Sequence, residues 1–203
     1  MKTMFSLTLG LLAGVNASAA PVLLNATDFS AALAPSTAVV ETFNAFQEGF
    51  KSSPLQLANS TFTADSTPYV GAIDPLFSTY SLITQQGLAS AFSGFGAGTT
   101  LFGLDLAGFI PADTLEVTVV DDDGASTFRA TIASFGGFFG VIDVRGLISV
   151  GFKDLGYGSG QGNYAFDNVV TGSMAIPEPA SLGLAGLGLL MMLAMASTGR
   201  VRP

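Results

Sequence analysis

The residues of this chain that could do chemistry are almost all carboxylates. The sequence has 15 Asp and Glu residues, no His and no Cys. His and Cys supply most zinc and copper ligands and take part in most nucleophilic triads. Their absence therefore excludes Ser-His-Asp and Cys-His catalysis and the usual transition-metal sites. The carboxylates can still bind calcium, accept hydrogen bonds, or act as a pair in glycoside hydrolysis.

The densest carboxylates form the run Asp121-Asp122-Asp123, which Gly124 follows. Calcium prefers several oxygen ligands, but the run does not match an EF-hand loop because no bidentate Glu follows at the required distance. The preceding segment, Leu115 to Val120, alternates apolar and polar residues as a strand does. An Asp-Gly pair supplies the positive φ angles of a tight hairpin. The run therefore predicts a solvated hairpin tip in preference to a calcium site.

Glycoside hydrolysis needs two carboxyl groups about 5 to 9.5 Å apart. Asp105 and Asp143 are candidates for such a pair, but their distance along the chain does not establish their distance in space. Single carboxylates on strands are commonly exposed or hydrogen-bonded without any catalytic role. We therefore predict that the protein is not an enzyme, and a glycoside-acting enzyme is the lesser alternative.

Both ends of the chain carry export and membrane signals. Residues 1–19 have the layout of a secretory signal peptide, with Lys2, an apolar core, and small residues before a signal peptidase cleavage site after Ala19. Residues 180–198 are uncharged, and at about 1.5 Å per residue a helix over them would span the bilayer core. Arg200 and Arg202 would stop that transmembrane helix at the cytoplasmic face. The body is then expected outside the cytoplasm.

The tripeptide Pro177-Glu178-Pro179 stands directly before the apolar run. With it and the terminal arginines, residues 175–203 resemble the PEP-CTERM sorting signal of proteins that are exported by Gram-negative bacteria making exopolysaccharide. The resemblance implies that the tripeptide is the processing motif of a membrane peptidase, exosortase. It also implies a transient inner-membrane anchor, followed by release to the cell surface or the extracellular space. One departure from the pattern is that the basic end has only two arginines, which Val201 separates.

The body between the signals, residues 20–174, is acidic and has the size of one domain. It contains 14 acidic and 4 basic residues, a net charge of −10. A body this acidic is a poor partner for nucleic acid or anionic lipid headgroups. It is also without disulfides, because there is no Cys.

The pattern of the body predicts an all-β fold. Gly and Phe are abundant, with 25 and 17 residues, and apart from one short helix no segment has a helical period. Thr27 or Asp28 would cap that helix and Pro35 would stop it. Nine or ten short strands without helices between them predict an antiparallel jelly-roll-like β-sandwich. The predicted strands are Ala38–Phe43, Gln56–Thr63, Tyr80–Thr84, Thr100–Leu106, Leu115–Val120, Thr127–Ile132, Phe138–Val144, Leu147–Phe152 and Tyr164–Val170.

Between about residues 95 and 172 the motifs follow an order similar to that of exported jelly-roll bodies carrying this tail, ending in Tyr164-Ala165-Phe166-Asp167-Asn168-Val169-Val170. In related carbohydrate-binding jelly rolls, an acidic residue on an early strand and the Asp of this last strand can share a structural calcium ion. The resemblance places these ligands at Glu41 and Asp167. A carboxylate near an apolar core needs a partner or a cation. The alternative is that Asp167 is a carboxylate at the edge of a sheet and accepts hydrogen bonds from backbone amides.

Two functions remain from these observations. The first is a non-catalytic glycan-binding module of the extracellular matrix, associated with exopolysaccharide. Its weakness is that sugar sites usually stack rings on aromatic residues, and the sequence has no Trp. In such a site four tyrosines could take the place of Trp, namely Tyr69, Tyr80, Tyr157 and Tyr164. The second function is that of a purely structural acidic surface protein.

Overall fold

The computed structural model describes residues 20–34, 37–73, 77–85, 88–108, 114–131, 137–155 and 163–174. They form two antiparallel β-sheets packed face to face, and a single short helix lies among them. The predicted fold class, an antiparallel jelly-roll-like β-sandwich with one short N-terminal helix, is confirmed. The predicted signal peptide, sorting motif and transmembrane helix lie outside the described residues. Within those residues, no helix has both the length and the apolar character needed to cross a membrane.

The elements follow one another along the chain with short connections. In chain order they are β1 (Val22–Leu24), α1 (Ala26–Ala32), β2 (Val39–Glu41), β3 (Gly49–Phe50), β4 (Leu55–Gln56), β5 (Thr61–Ala64), β6 (Tyr69–Ile73), β7 (Phe77–Gln85), β8 (Ala89–Ser93), β9 (Leu101–Gly108), β10 (Thr114–Asp121), β11 (Gly124–Thr131), β12 (Gly137–Ile142), β13 (Ser149–Asp154) and β14 (Asn163–Gly172).

The two sheets have the strand orders β1-β12-β9-β14-β7-β6-β3, which we call sheet I, and β11-β10-β13-β8-β5-β4, which we call sheet II. One edge of β14 is shared by two strands, since β7 pairs with its first half and β2 with Val169 to Thr171. Between these two pairings the register of β14 against β9 shifts at Asp167. Asn168 has a φ of 47° there, a conformation that Asn tolerates better than most residues.

The core between the sheets is built largely from phenylalanine. Phe92 contacts the rings of Phe62, Phe102, Phe152 and Phe166, with centroid distances of 5.0 to 6.1 Å. All five side chains are buried. Aromatic pairs at such distances stabilise a core beyond the area that they bury. This network of rings stabilises the core of a chain that has no disulfide.

The helix packs on the outer face of sheet I. Its buried Phe29 contacts Phe138 edge-to-face at 5.2 Å. Gly103 and Gly140 lie beneath these two rings, and a Cβ at residue 103 would approach both rings to 2.8 Å. The N-cap is Asn25, whose side chain accepts the backbone N–H of Asp28 at 2.9 Å. The predicted caps, Thr27 or Asp28, are therefore wrong: Asn25 offers the same capping oxygen at an earlier position.

The predicted strands are present, with ends displaced by a few residues. The segment from Gln56 to Thr63 is a hairpin of β4 and β5 instead of one strand, because Leu57 donates its N–H to the carbonyl of Ser60 at 2.9 Å and closes a turn. The unpredicted strands are β1, β3, β6 and β8. Strands β1 and β3 are very short, and β8 is rich in Ala and Ser, which have weak β propensity. Strand β6 contains Tyr, Val and Ile, which favour strands, and was missed in spite of them.

Candidate functional site

A groove with a volume of about 360 Å³ lies on the outer face of sheet II. It crosses four adjacent strands, β10, β13, β8 and β5. The strand register arranges its side chains in two rows, Thr118, Gly151, Ala91 and Thr63 in one and Glu116, Lys153, Ala89 and Asp65 in the other.

The floor of the groove is low because its central strands carry small residues. Gly151, Ala91 and Ala89 lie on β13 and β8, in the middle of the sheet. A Cβ at Gly151 would meet its nearest atoms at 3.7 to 4.0 Å, which is ordinary van der Waals contact. The inner faces of the same strands carry Phe92 and Phe152 to the core. Alternation along the strands thus gives one sheet a packed inner face and an open outer face.

The walls of the groove carry charge and hydroxyl groups. Glu116 on β10 stands directly opposite Lys153 on β13, but no ion pair between these two described residues forms within 4.0 Å. Asp65 accepts the backbone N–H of Ala89 through Oδ2 at 3.3 Å. The groove therefore offers a cation, two carboxylates and the hydroxyls of Thr63 and Thr118 to a polar ligand.

The tyrosines predicted as stacking residues have different environments. Tyr164 is buried, and its hydroxyl lies 3.0 Å from the hydroxyl of Ser90. Burial raises the pKa of Tyr164 to about 12. Tyr80 is half-buried against the core, Tyr69 is half-buried on sheet I, and Tyr157 lies outside the described residues. Tyr69 is thus the described tyrosine that remains available at the surface.

Asp167, a predicted calcium ligand, is 1% exposed at the bulge of β14. Its Oδ2 accepts the hydroxyl of Thr79 at 2.6 Å and its Oδ1 accepts the backbone N–H of Asn168 at 2.8 Å. Burial raises the pKa of Asp167, while these two hydrogen bonds oppose the rise. Asn168 also donates to Asp105 on the paired strand at 2.7 Å. The bond from the backbone amide of Asn168 is the kind that the alternative predicted, but the second donor is the hydroxyl of Thr79, and Asp167 lies on a central strand of sheet I instead of an edge.

Glu41, the other predicted ligand, lies on β2 directly opposite Val169 of β14. Its Oε1 accepts the backbone N–H of Phe43 at 3.0 Å, and its Oε2 accepts that of Ala58 at 3.4 Å. The fold thus brings Glu41 and Asp167 onto paired strands, two residues apart in register, with different hydrogen-bond partners. No group of three acidic side chains that could hold a metal ion forms among the described residues. The calcium ion stays a prediction.

Asp105 and Asp143, the candidate hydrolytic pair, are far apart. The backbone N–H of Asp143 donates to the carbonyl of Thr100 at 2.9 Å, at one end of β9. Asp105 lies five residues further along β9. At about 3.3 Å per residue this separates the two backbones by about 16 Å, well above the roughly 9.5 Å limit for a glycosidase pair.

Arg145 forms a cluster that the sequence did not lead us to predict. Its guanidinium makes ion pairs with Asp121, Asp123 and Asp143, so the hairpin tip is clamped to the loop between β12 and β13. Asp121 is buried, and the prediction of a wholly solvated tip is wrong for this residue. Gly124 has a positive φ, as expected, but Asp123 does not, so the prediction of positive φ angles at both residues is wrong for Asp123. One feature of the sequence could have indicated this cluster: Arg145 is one of only four basic residues in the body and stands two residues after Asp143.

The comparisons with known proteins find similar folds only. No family model matches the chain, and no curated protein matches it. Among solved structures it is similar to a mutant of a family 29 carbohydrate-binding module, at 11% identity and a TM-score of 0.42, covering 70% of this chain and 99% of the module.

Two further similarities are of the same kind. A cleaved adhesin domain of Lys-gingipain from Porphyromonas gingivalis matches at 11% identity and a TM-score of 0.44, over 68% of this chain and 98% of that domain. A family 11 carbohydrate-binding module from Clostridium thermocellum matches at 11% identity and a TM-score of 0.37, over 64% of this chain and 97% of that module. At these values the similarities carry no inference about function.

Proposed function

We propose that the protein is an exported, exosortase-processed component of the cell surface or extracellular matrix that binds a glycan without cleaving it. The observation that carries the glycan-binding part is the open groove across sheet II, with small residues on its floor and hydrogen-bonding groups on its walls. The export part is supported by the signal-peptide pattern, the Pro177-Glu178-Pro179 motif and the terminal arginines, Arg200 and Arg202.

The dimensions and chemistry of the groove suit an extended polar chain. Neighbouring strands are about 4.8 Å apart, so the four strands place Glu116 and Asp65 about 14 Å from each other. A glycan presents hydroxyls that both donate and accept hydrogen bonds. Lys153 can donate to them, while the carboxylate of Glu116 can accept from them. The net charge of −10 disfavours nucleic acid as the occupant.

The same spacing argues against hydrolysis in the groove. A separation of about 14 Å between Glu116 and Asp65 exceeds the roughly 9.5 Å that two carboxyl groups need for glycoside cleavage. The pair Asp105 and Asp143 fails by the same criterion. The two carboxylates of each pair are therefore too far apart for glycoside cleavage.

The test is to fill the groove and measure binding to exopolysaccharide purified from the producing bacterium. In Gly151→Val the added side chain rises from the floor, where its Cβ meets no atom closer than 3.7 Å. We expect the variant to keep its melting temperature and to lose at least tenfold in affinity by isothermal titration calorimetry. The matched control is Gly137→Val at the start of β12 in sheet I, where a Cβ would meet nothing within 4 Å.

Two results would contradict the proposal. Wild-type protein that does not bind the exopolysaccharide at all would favour the purely structural role. Equal affinities for Gly151→Val and Gly137→Val would place any binding outside the groove.

A further inference from the structure

An aromatic corner stands at the edge of sheet I. Phe50 lies on the edge strand β3, directly opposite Tyr69 of β6. The two ring centroids are 5.2 Å apart, and the rings meet at 74°. Phe50 is 75% exposed, although water around an apolar ring of this size is unfavourable. Single exposed apolar residues are common, so the exposure of Phe50 indicates a binding site only in combination with the groups that surround it.

The ring of Tyr69 is held in place at both ends. A Cβ at residue 71 would come within 2.4 Å of its Cε1, so the ring leans over strand β6 only because residue 71 is glycine. At the other end the hydroxyl donates to Oε1 of Glu48 at 2.8 Å, and this bond raises the pKa of Tyr69. Gly71 and Glu48 therefore fix the orientation of Tyr69 beside Phe50.

The polar groups at the corner are acidic. Glu48 is exposed and accepts a hydrogen bond from the hydroxyl of Tyr69. The nearby cation, Lys51, donates to the carbonyl of Gln47 and is half-buried. A ligand at the corner would therefore meet two apolar ring surfaces beside a carboxylate. The carboxylate can accept hydroxyl groups and repels anions.

We propose that Phe50, Tyr69 and Glu48 form a second glycan-binding site, specific for neutral pyranose units with equatorial hydroxyls. Such a sugar has axial C–H groups on both ring faces, and these are attracted to the negative face of an aromatic ring. Its equatorial hydroxyls lie at the ring edge, where Glu48 can accept them. Uronic acids are excluded because the corner and the whole body are negatively charged.

The corner and the groove lie on different sheets of the sandwich. If the proposed function holds, one molecule can bind two glycan segments and cross-link a polysaccharide matrix. A second copy of the chain is the competing occupant of the corner. The net charge of −10 on residues 20–174 opposes self-association, so we take the sugar as the occupant.

The experiment measures binding of the full chain to cellotetraose, a neutral probe, and to tetragalacturonate, its anionic counterpart, by saturation-transfer NMR and calorimetry. We expect binding of cellotetraose only. Phe50→Ala should weaken it at least tenfold. Gly71→Ala should weaken it about as much by displacing the ring of Tyr69, while Ile148→Ala, which trims another exposed apolar side chain, should leave it unchanged.

The outcomes separate the two sites. Cellotetraose binding that Gly151→Val abolishes and Phe50→Ala leaves intact would refute the corner and keep the groove. The reverse result would support the corner, and the groove is then judged by the exopolysaccharide titration with Gly151→Val. No binding of cellotetraose, equal binding of tetragalacturonate, or a concentration-dependent dimer that Phe50→Ala dissolves would overturn the second site.

Discussion

The guanidinium of Arg145 lies 2.5 Å from the carboxylate of Asp121, and this contact joins two separate connections of the sandwich. Arg145 follows β12, whereas Asp121 ends β10 at the hairpin tip. The buried Asp121 also accepts the backbone N–H groups of Asp123 and Gly124 at 2.7 and 3.0 Å. The ion pair therefore stabilises both the turn and its position against sheet I.

Removing this arginine should destabilise the protein. In Arg145→Met the carboxylates of Asp121 and Asp143, which are 5% and 2% exposed, lose their cation. Leaving such charges buried and unpaired costs about 3 kcal/mol. Chemical denaturation of both proteins at pH 7 measures the difference. The control is Arg129→Met on the exposed part of β11, which should change stability by less than about 0.5 kcal/mol; similar losses in both variants would contradict the assignment.

Stability should fall as the pH rises from 5 to 7.5. Burial raises the pKa of Asp143 from 3.8 to about 6; Asp121 adds to the rise, and the backbone N–H of Arg145 opposes it. The folded state then holds more protons than the unfolded chain between these values. The stabilisation is complete below pH 3.8 and is lost as the pH passes 6.

Asp143→Asn tests this assignment, because the amide cannot ionise. Denaturation curves at pH 5 and 7.5 should show a smaller difference for the variant than for the wild type. The remaining difference is expected from Asp167, whose pKa burial also raises. Asp122→Asn, at the exposed tip of the hairpin, should keep the full pH dependence. An unchanged pH dependence in Asp143→Asn would show that another group is responsible.

The predicted calcium ion at Glu41 and Asp167 has a direct thermal test. If calcium joins β2 to β14, adding 1 mM calcium to chelator-treated protein should raise the melting temperature, since a ligand that binds only the folded state stabilises it. Glu41→Gln should abolish that rise. A melting temperature that chelator and calcium leave unchanged would mean that the protein donors around Asp167 are sufficient.

Processing at the proposed sorting motif can be measured on the product found outside the cell. Intact mass spectrometry of the extracellular and membrane fractions should find a released chain that begins after Ala19 and ends near Pro177 to Pro179. Glu178→Ala should leave the full-length precursor in the membrane fraction. Recovery of residues 180–198 in the extracellular product would contradict removal of the anchor.

Local pattern was enough to predict the sandwich and several of its strands. Leu115, Val117 and Val119 alternate with polar residues, and all three are buried as expected. Strand β8 was not predictable in this way. Its central place between β13 and β5 comes from pairing with distant strands, and its Ala and Ser residues have little β propensity of their own.

The sequence by itself determined which chemistry is excluded, because a chain without His or Cys cannot supply those ligands or bases wherever it folds. It also determined the alternation that gives each sheet an inner and an outer face. Only the tertiary structure decided which polar groups meet: Arg145 with Asp121, Tyr69 with Glu48, and Glu116 opposite Lys153. These partners are 21 to 37 residues apart in sequence, and their contacts depend on strand register, which the whole sheet sets through long-range pairing.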